Sequence, residues 1–503
     1  LAGTWQLRHA VRIACCLVCL TAGSAQAQKS ADTLRITWRD PTPSLDPTRT
    51  ARRSRQILAL QIFDTLVYRD PDTLQTKPLI AASWRVVDEN TVDFTLRTDL
   101  RFSNGAPVTV DDVAYSIAIA TGHAEAEPIA GFTALAGADI IDPQHIRVHF
   151  TQGVQLGLEY LAMLLPILPR DYRTRVGDAE FAQTPIGSGP YRGHRSATGT
   201  IFLDRNEQYP ADLAKGRAAI AHLEFRTAAD SSSEVADLIN HRADWIWDFD
   251  PDQLDAINAV PALQGLRADS LRFGYLSITP RGDTPFADRL VRQAIFHAID
   301  RAALARRFGT GSLRQLNAPC YPTQFGCDQS AAARYDTDLA LARRLLADAG
   351  YAKGFTATLV SSLLPAWGSA VQSDLRAIGI DVAVRQVPPE EASGMAKRGE
   401  TLLQLGAWGS GGINDVAAVL PHFFGGGPAD HTGDTRLHDI LASAPSADPD
   451  HRRQADQAAI HEITAQAYML PLNIVVDTYA FSRDVAFRLP PDNLPRFYQA
   501  SWR

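Results

Sequence analysis

Two periods of apolar and polar positions share this chain. Val92, Phe94 and Leu96 alternate with Thr91, Asp93, Thr95 and Arg97, the two-residue period of a strand with one buried face. Asp88-Glu89-Asn90 forms the turn ahead of it, and Asn104-Gly105 forms another turn. Ile146, Val148 and Phe150 mark a second such strand, with Arg147 and His149 on its opposite face. Leu34–Trp38, 222–226, Trp245–Phe249, Phe273–Ile278 and Ile380–Val384 also read as strands. Elsewhere the spacing lengthens to that of a helix. Gln56 to Val67 carries Ile57, Leu60 and Leu66, with Ile62 off register. A helix from about Asp288 to Arg307 sets Val291, Ile295, Ala298 and Ala302 on one face and stops before Gly309. Others run from about Thr337 to Gly350, up to Gly379, and from about Asp450 to Met469 ahead of Pro471. Thr109-Val-Asp-Asp112 opens a further helix as a capping box with Asp in place of Glu.

These elements alternate without the strict rhythm of one doubly wound sheet. Gly187-Ser188-Gly189-Pro190 breaks the chain sharply, and a new α/β unit opens at Leu271. The first 27 residues stand apart: Arg8 and Arg12 precede the apolar run Ile13–Gly23, and Ala25-Gln26-Ala27 is a cleavage signature. A signal peptide is expected over 1–27, with a mature start near Gln28 and a free periplasmic protein of a Gram-negative cell as the product. The run is shorter than the roughly 20 apolar residues that cross a bilayer. Cys15, Cys16 and Cys19 lie inside it, unlike a lipid-attachment cysteine.

Composition narrows the partners. Setting aside the leader's two arginines takes the formal charge from −7 to −9, which argues against nucleic acid or an anionic membrane surface. A hydrophobic content of 45% is ordinary for a globular chain, and the remaining length suffices for two or three cores. Outside the leader stand Cys320 and Cys327, in CYPTQFGC. In an oxidising compartment this close pair reads as a disulfide-closed loop. Two free thiols, or half of a metal site, are the alternatives.

The order of pieces from Leu45 to Val113 — LDPTRT, QIFDTLVYRD, KPLIAASWRVVDENTVDFTLR, FSNGAPVTVDDV — closely resembles the start of the family 5 extracytoplasmic solute-binding proteins. PIGSGPYR at 185–192, NEQYP at 206–210 and PFADRLVRQAIFHAIDR at 285–301 continue the likeness. It covers residues 32 to about 485. The resemblance implies an α/β, two-lobed periplasmic binding protein fold of type II with an extra inserted domain. Lobe I would comprise 28–70, 187–270 and 475–503, the inserted domain II 71–186, and lobe III 271–474. The hinge would lie at the crossings near 270 and 475. It further implies a monomeric binding component of a peptide-type ABC importer, which hands a peptide or peptide-like solute to permease subunits in the inner membrane. No cofactor is expected.

Catalytic signatures point nowhere in particular. The sequence has no G-x-S-x-G elbow, no S-x-x-K and no P-loop ending in Gly-Lys-Ser/Thr. His461-Glu462-Ile-Thr-Ala465 lacks the second histidine of a zinc motif and reads as a solvated helix face. Gly309-Thr-Gly311 reads as a helix stop. His145 and His149 sit two strand positions apart from Arg147 on either side, too spread along a strand at ~3.3 Å per residue to share a metal. They read as exposed. A periplasmic hydrolase, and a chaperone or receptor that uses the same fold without transport, are the rival readings.

The region of most interest for a site runs from Leu403 to His438. Peptide-binding members carry Trp followed by Thr-Gly-Asp, whose Asp pairs with the peptide α-amine. Here Trp408 is followed by Gly409-Ser410-Gly411-Gly412, so Gly411 stands in the Asp position and Asp415 is the nearest acid. Either Asp415 substitutes, or the ligand has no free amine; Asn414-Asp415 also suits a helix cap. Arg39 and Asp40 follow the first strand and would face the cleft, Arg39 suiting a carboxylate or phosphate. Tyr275 to Thr279 matches the family's cleft-edge strand, with Thr279 in the Asn position. His422 and His431 lie in the same variable region and keep a nickel- or haem-type ligand in view.

Overall fold

The computed structural model describes residues 32–503 apart from 43, 49–52, 123–133, 309–314, 447 and 491. The leader and the Gly309–Gly311 stop therefore lie outside the described residues. Ten strands make one mixed sheet: β1 (Thr33–Trp38), β2 (Tyr191–Arg195), β3 (Ile201–Arg205), β4 (His222–Thr227), β5 (Trp245–Trp247), β6 (Leu263–Ile278), β7 (Phe355–Ser361), β8 (Ile380–Gln386), β9 (Leu403–Gly409) and β10 (Met469–Ser482). Their order is β8-β7-β9-β6-β10-β5-β1-β4-β3-β2. A four-stranded antiparallel sheet, containing Thr91–Leu96 and His145–Phe150 as neighbours, stands separately.

β6 and β10 tie the large sheet together. They have 16 and 14 residues, and pair antiparallel from Leu263↔Ser482 to Ser277↔Met469. The end of β10 (Tyr479–Phe481) pairs with β5, and the second half of β6 (Arg272–Ile278) pairs with β9. The ladder slips between Asp269 and Phe273 and again before Tyr275. Such a slip bends the strand locally. Ser270, fully buried, bridges it by donating to the Val475 carbonyl at 2.5 Å. The two crossings near 270 and 475 meet here.

Each half has its own packing. Leu34, Ile36 and Trp38 of β1 share one core with Val92, Phe94, Ile146 and Val148, so the four-stranded sheet is welded to the β1 half by apolar contact. The other half has three layers. Leu276, Ile278, Leu403 and Leu405 pack under helices that include Arg289–Ala298 and Pro365–Arg376. Phe273 and Tyr275, pointing the other way by the period of two, pack with Leu437, Ile460 and Ile463 of the helices Thr435–Ser443 and Pro449–Ala465. Cys320 and Cys327 are joined as a disulfide, with Cα atoms 5.8 Å apart. This loop pairs with the main chain at Phe325↔Asp415.

The structure departs from the pattern where tertiary pairing outbids local spacing. The helix read over 56–67 is Arg53–Ile62. Past Asp64 the carbonyls of Thr65 and Leu66 accept from Ile80 and Ala81 instead, and Val67–Arg69 becomes a strand. The helix read from 288 to 307 is two, Arg289–Ala298 and Arg301–Phe308. Ile299 is extended (φ −76°, ψ 119°), and the Asp300 carboxylate accepts from the Ala303 N–H at 2.7 Å, restarting the helix as a cap. The last helix stops at Ala465 because Ala467 turns left-handed (φ 56°) into β10. β5 ends at Trp247, since Asp248 also turns left-handed (φ 56°). The Thr109–Asp112 capping box is present, Asp112 accepting from the Thr109 N–H at 2.9 Å.

Candidate functional site

β9 is the spine of the site. Its alternation sends Leu403 and Leu405 into the helical core and leaves Gln404 and Trp408 on the other face. Trp408 pairs across the ladder with Phe273, and Tyr275 with Gly406. A Cβ at 406 would lie 2.8 Å from the Tyr275 hydroxyl, so this glycine is what lets the tyrosine lie over the strand. Trp408, Tyr275 and Thr279 line one cavity of about 200 Å³, together with Thr401, Gln404 and His422. Every lining residue falls between 275 and 469. His422 stacks on Trp408 with centroids 4.3 Å apart, and Phe423 meets both rings edge-on. Burial, reinforced by the nearby Lys397 ammonium, holds the His422 imidazole down at about 4, so it is neutral at ordinary pH. His431, also in the wall, donates from Nε2 to the Ala396 carbonyl at 2.6 Å.

The glycine loop after Trp408 turns away from this cavity. Gly411 and Gly412 adopt φ of 64° and 85°, which β-carbon-bearing residues rarely tolerate. Ser410 closes the turn by donating to the Ile413 carbonyl at 2.7 Å. A Cβ at Gly409 would lie 2.8 Å from Arg272 Cγ. The loop's carbonyls are engaged by distant parts of the chain. Gln56 donates to Gly411 at 2.7 Å and Arg69 donates to Gly412. The Asn414 N–H donates to Glu159 at 3.2 Å. The loop is thus a bridge from the β9 half to the β1 half and to the helix Val154–Met163.

Asp415 is placed apart from Trp408. Its carboxylate caps the turn at Val416–Ala418, accepting from the Ala417 N–H at 2.9 Å, and pairs with Arg452 at 2.6 Å. It is 1% exposed. Burial pushes its pKa up against the pull of Arg452. Of the two sequence readings, its geometry is that of the cap.

Arg39 and Asp40 stand at the other end of an ionic chain. Arg39 donates to Glu234 at 2.9 Å and to the Asp248 carbonyl. Asp248 pairs with Arg53 at 3.3 Å, Arg53 with Asp477 at 3.2 Å, and Asp477 with Arg272 at 3.2 Å. Arg272 reaches Gly409, completing a path from β1 to β9 across the crossing strands. Arg53 also stacks over Trp247 at 4.0 Å. Asp40 accepts from Ser54 at 2.6 Å. Burial raises Glu234 to about 8 despite Arg39, and raises Asp477 despite its two arginines. Sequence reasoning missed Arg53, Asp248, Asp477, Arg272, Thr401 and Gln404. They are single residues without a motif; the left-handed Asp248 and the buried Asp477, Thr401 and Gln404 stand out, and none of these features is visible before folding.

His145 and His149 lie on the strand face as read, each half-exposed and paired with its own acid, Asp142 and Asp139. His461 is exposed on its helix, but Glu462, Ile463 and Thr464 beside it are buried, so the segment is not the solvated face its sequence suggested: it packs inward at helical spacing. Among the described residues no three His, Cys, Asp or Glu side chains cluster as metal ligands, and no helix is long and apolar enough to cross a membrane.

Comparison with known proteins places this architecture. A family model described as bacterial extracellular solute-binding proteins, family 5 middle, matches residues 75–430. Di/tripeptide-binding protein 2 of Pseudomonas aeruginosa (strain UCBPP-PA14) is 26% identical over 453 residues, covering 83% of each chain. The fold matches the periplasmic binding protein DppA of Helicobacter pylori in complex with peptide STSA at a TM-score of 0.80, with 21% identity over 93% of this chain and 98% of that one. It matches AgaA of A. tumefacien R10 in complex with agropinic acid at 0.77, with 22% identity over 94% and 99%.

Proposed function

The chain belongs to family 5 of the bacterial extracellular solute-binding proteins, and from that membership we propose that it captures a peptide or peptide-like solute between two lobes and delivers it to the permease of an ABC importer. It has the two-lobed α/β fold of the periplasmic binding proteins. In this reading the lobes divide as the sequence suggested, with β6 and β10 as the hinge, and the protein works in the periplasm as a monomer that binds without turning anything over.

The observation that carries the reading is the arrangement around β9. A chamber of about 200 Å³ walled by Trp408 and Tyr275 adjoins the glycine loop that follows Trp408 and reaches across to Gln56 and Arg69. A solute held on one half can therefore bias the contact with the other, which is how differential binding favours a closed form. The likeness of the relatives supports a peptide: one is named for di- and tripeptides, and one matching structure holds a peptide. The other structure holds agropinic acid, so the fold itself does not choose the ligand.

Mass spectrometry of solute released by denaturation from protein purified out of the periplasm tests this. A stoichiometric small molecule is expected, and cross-linking should recover permease subunits. Trp408→Ala should weaken binding of that solute more than tenfold, about 1.4 kcal/mol, in protein that still folds, with a melting temperature lowered by the lost packing on His422 and Phe423. Chemical conversion of the solute by the protein, abolished by a single substitution in the cleft, would sink the binding-only reading.

A further inference from the structure

Consecutive carbonyls of the loop after Trp408 are divided between two parts of the molecule. Those of Gly411 and Gly412 accept from Gln56 and Arg69 of the β1 half. Those of Ile413, Asn414 and Asp415 accept from the loop closed by Cys320 and Cys327. Gln324 Nε2 donates to Ile413 at 3.1 Å and to Asp415 at 3.4 Å, and the Phe325 N–H donates to Asn414 at 3.0 Å. In return the Val416 N–H donates to the Phe325 carbonyl at 3.0 Å. The segment that reaches across to the β1 half is therefore gripped, on its next three carbonyls, by the disulfide loop.

That grip depends on the shape of a short ring. Among the described residues no helix or multi-residue strand falls between Phe308 and Leu339, so regular structure does not hold the ring. Its internal bonds converge on Gln324: the Cys327 N–H donates to the Gln324 carbonyl at 3.1 Å, and Gln324 Oε1 accepts from the Tyr321 N–H at 2.9 Å. The disulfide thus closes around the side chain that holds Ile413 and Asp415. Gly326 takes a left-handed φ of 80°, with Asp456 Oδ2 only 2.2 Å from where a β-carbon would stand. Cys320 is fully buried and Cys327 half-buried, and both pack in the layer that contains Phe273 and Trp408. A cross-link restricts its loop only while it is closed.

We propose that the Cys320–Cys327 loop is a redox-sensitive brace of the solute site: closed, it holds residues 413–415 so that Gly411 and Gly412 meet Gln56 and Arg69; opened by a dithiol reductant, it lets that segment go and solute is released faster. The functional consequence rests on the solute-binding reading. The chemistry is thiol–disulfide exchange. One thiolate of the reductant attacks Cys327 Sγ, the less buried residue's sulfur, and the S–S bond breaks with its electron pair leaving on Cys320 Sγ. The second reductant thiolate then attacks the mixed disulfide and expels Cys327. Two electrons and two protons pass to the protein, which gains two thiols, and the dithiol becomes a disulfide. Phe325 and Gln324 are then held by hydrogen bonds alone, and the contact with the β1 half loses its support from behind.

The deciding measurement needs no solute. Hydrogen exchange, read by mass spectrometry on peptides of the processed protein, is compared before and after dithiothreitol, and in the Cys320→Ala/Cys327→Ala variant. Amides of 320–329 and of 410–418 should exchange at least tenfold faster when the bond is open, a local opening, while those of β9 and β10 keep their rates. Faster exchange confined to 320–329 would overturn the proposal, because the ring would then move without the site loop. Faster exchange throughout 271–474 would overturn it too, making the disulfide a general stabiliser. If the double variant fails to fold, the reduced parent still decides. Trialanine supplies the functional readout: it should leave the reduced protein about fivefold faster, the scale of one lost hydrogen bond. In Gln56→Ala, where the contact is already cut, reduction should add little, the non-additivity of groups acting in series. A full fivefold effect in that background would place the action of the disulfide elsewhere and overturn the brace. Failure of trialanine to bind counts against the peptide reading, and the exchange pattern then decides the brace by itself.

Discussion

A single carboxyl group shows how far a residue's role depends on neighbours remote in sequence. Asp456 is 2% exposed, and one of its oxygens has no donor; it lies where a Cβ on Gly326 would fall, at 2.2 Å. Burial first, then the adjacent Asp415 carboxylate, raises its pKa to about 7 against the pull of Arg452. Its folded value thus exceeds the ordinary unfolded value of about 3.9. The stability it contributes is complete below that unfolded value and is lost as pH rises through about 7. Asp456→Asn, which keeps the shape without the ionisation, should gain roughly 2–3 kcal/mol on the parent between pH 5 and pH 8. Denaturant unfolding at the two pH values measures this, and equal slopes for parent and variant would refute it. The same neighbourhood explains what the sequence could tell about Asp415. The Asn-Asp pair before an apolar run signalled a cap, and a cap it is. Arg452, its ion-pair partner, stands 37 residues on in a helix whose spacing says nothing of where its arginines point.

At the scale of elements, short-range signals were legible and interruptions were not. Strand alternation at 91–97 and 145–150 and the Thr109 capping box are local chemistry, written in adjacent residues. The break at Ile299–Asp300 was hidden, because the apolar face of the first helix continues in register through Ala302. What ends the first helix is tertiary: Thr337 donates to the Ile299 carbonyl at 3.1 Å and Asp374 accepts from the Asp300 N–H at 3.1 Å. Asp300 then caps the second helix. Asp300→Ala should cost about 1 kcal/mol, the usual loss for a deleted N-cap, seen as a lower denaturation midpoint with an unchanged slope. If the two helices were in truth one, the substitution would be neutral or stabilising, since alanine is the better helix former.

For the whole molecule, the family pattern and part of the large sheet were readable along the chain, but β2, β3, β7 and the long β10 were not, since their pairing partners are remote in sequence. Trp408, Tyr275 and Thr279 do meet in one chamber, because strand periodicity carries them to one face. Arg39, Asp40 and the glycine loop lie outside that chamber, held by other parts of the chain. Gln56 is the clearest of these. Its amide donates both to the Met163 carbonyl at 3.1 Å and to the Gly411 carbonyl at 2.7 Å, pinning the loop after β9 to the β1 half. Arg69 makes the neighbouring contact, but it is fully buried between Glu159 and Asp492, so replacing it would unfold the core and report nothing about closure. Gln56 is half-buried, and its loss leaves the apolar core untouched. If the loop is a latch on the closed state, Gln56→Ala removes about 1 kcal/mol from that state and leaves an open state unaffected. The variant should then bind the co-purified solute about fivefold more weakly, with the loss in the dissociation rate, and small-angle scattering of the ligand-free protein should give a larger radius of gyration. Equal affinity with an unchanged radius would mean that the loop contact is a fixed part of one rigid body and that closure is governed elsewhere.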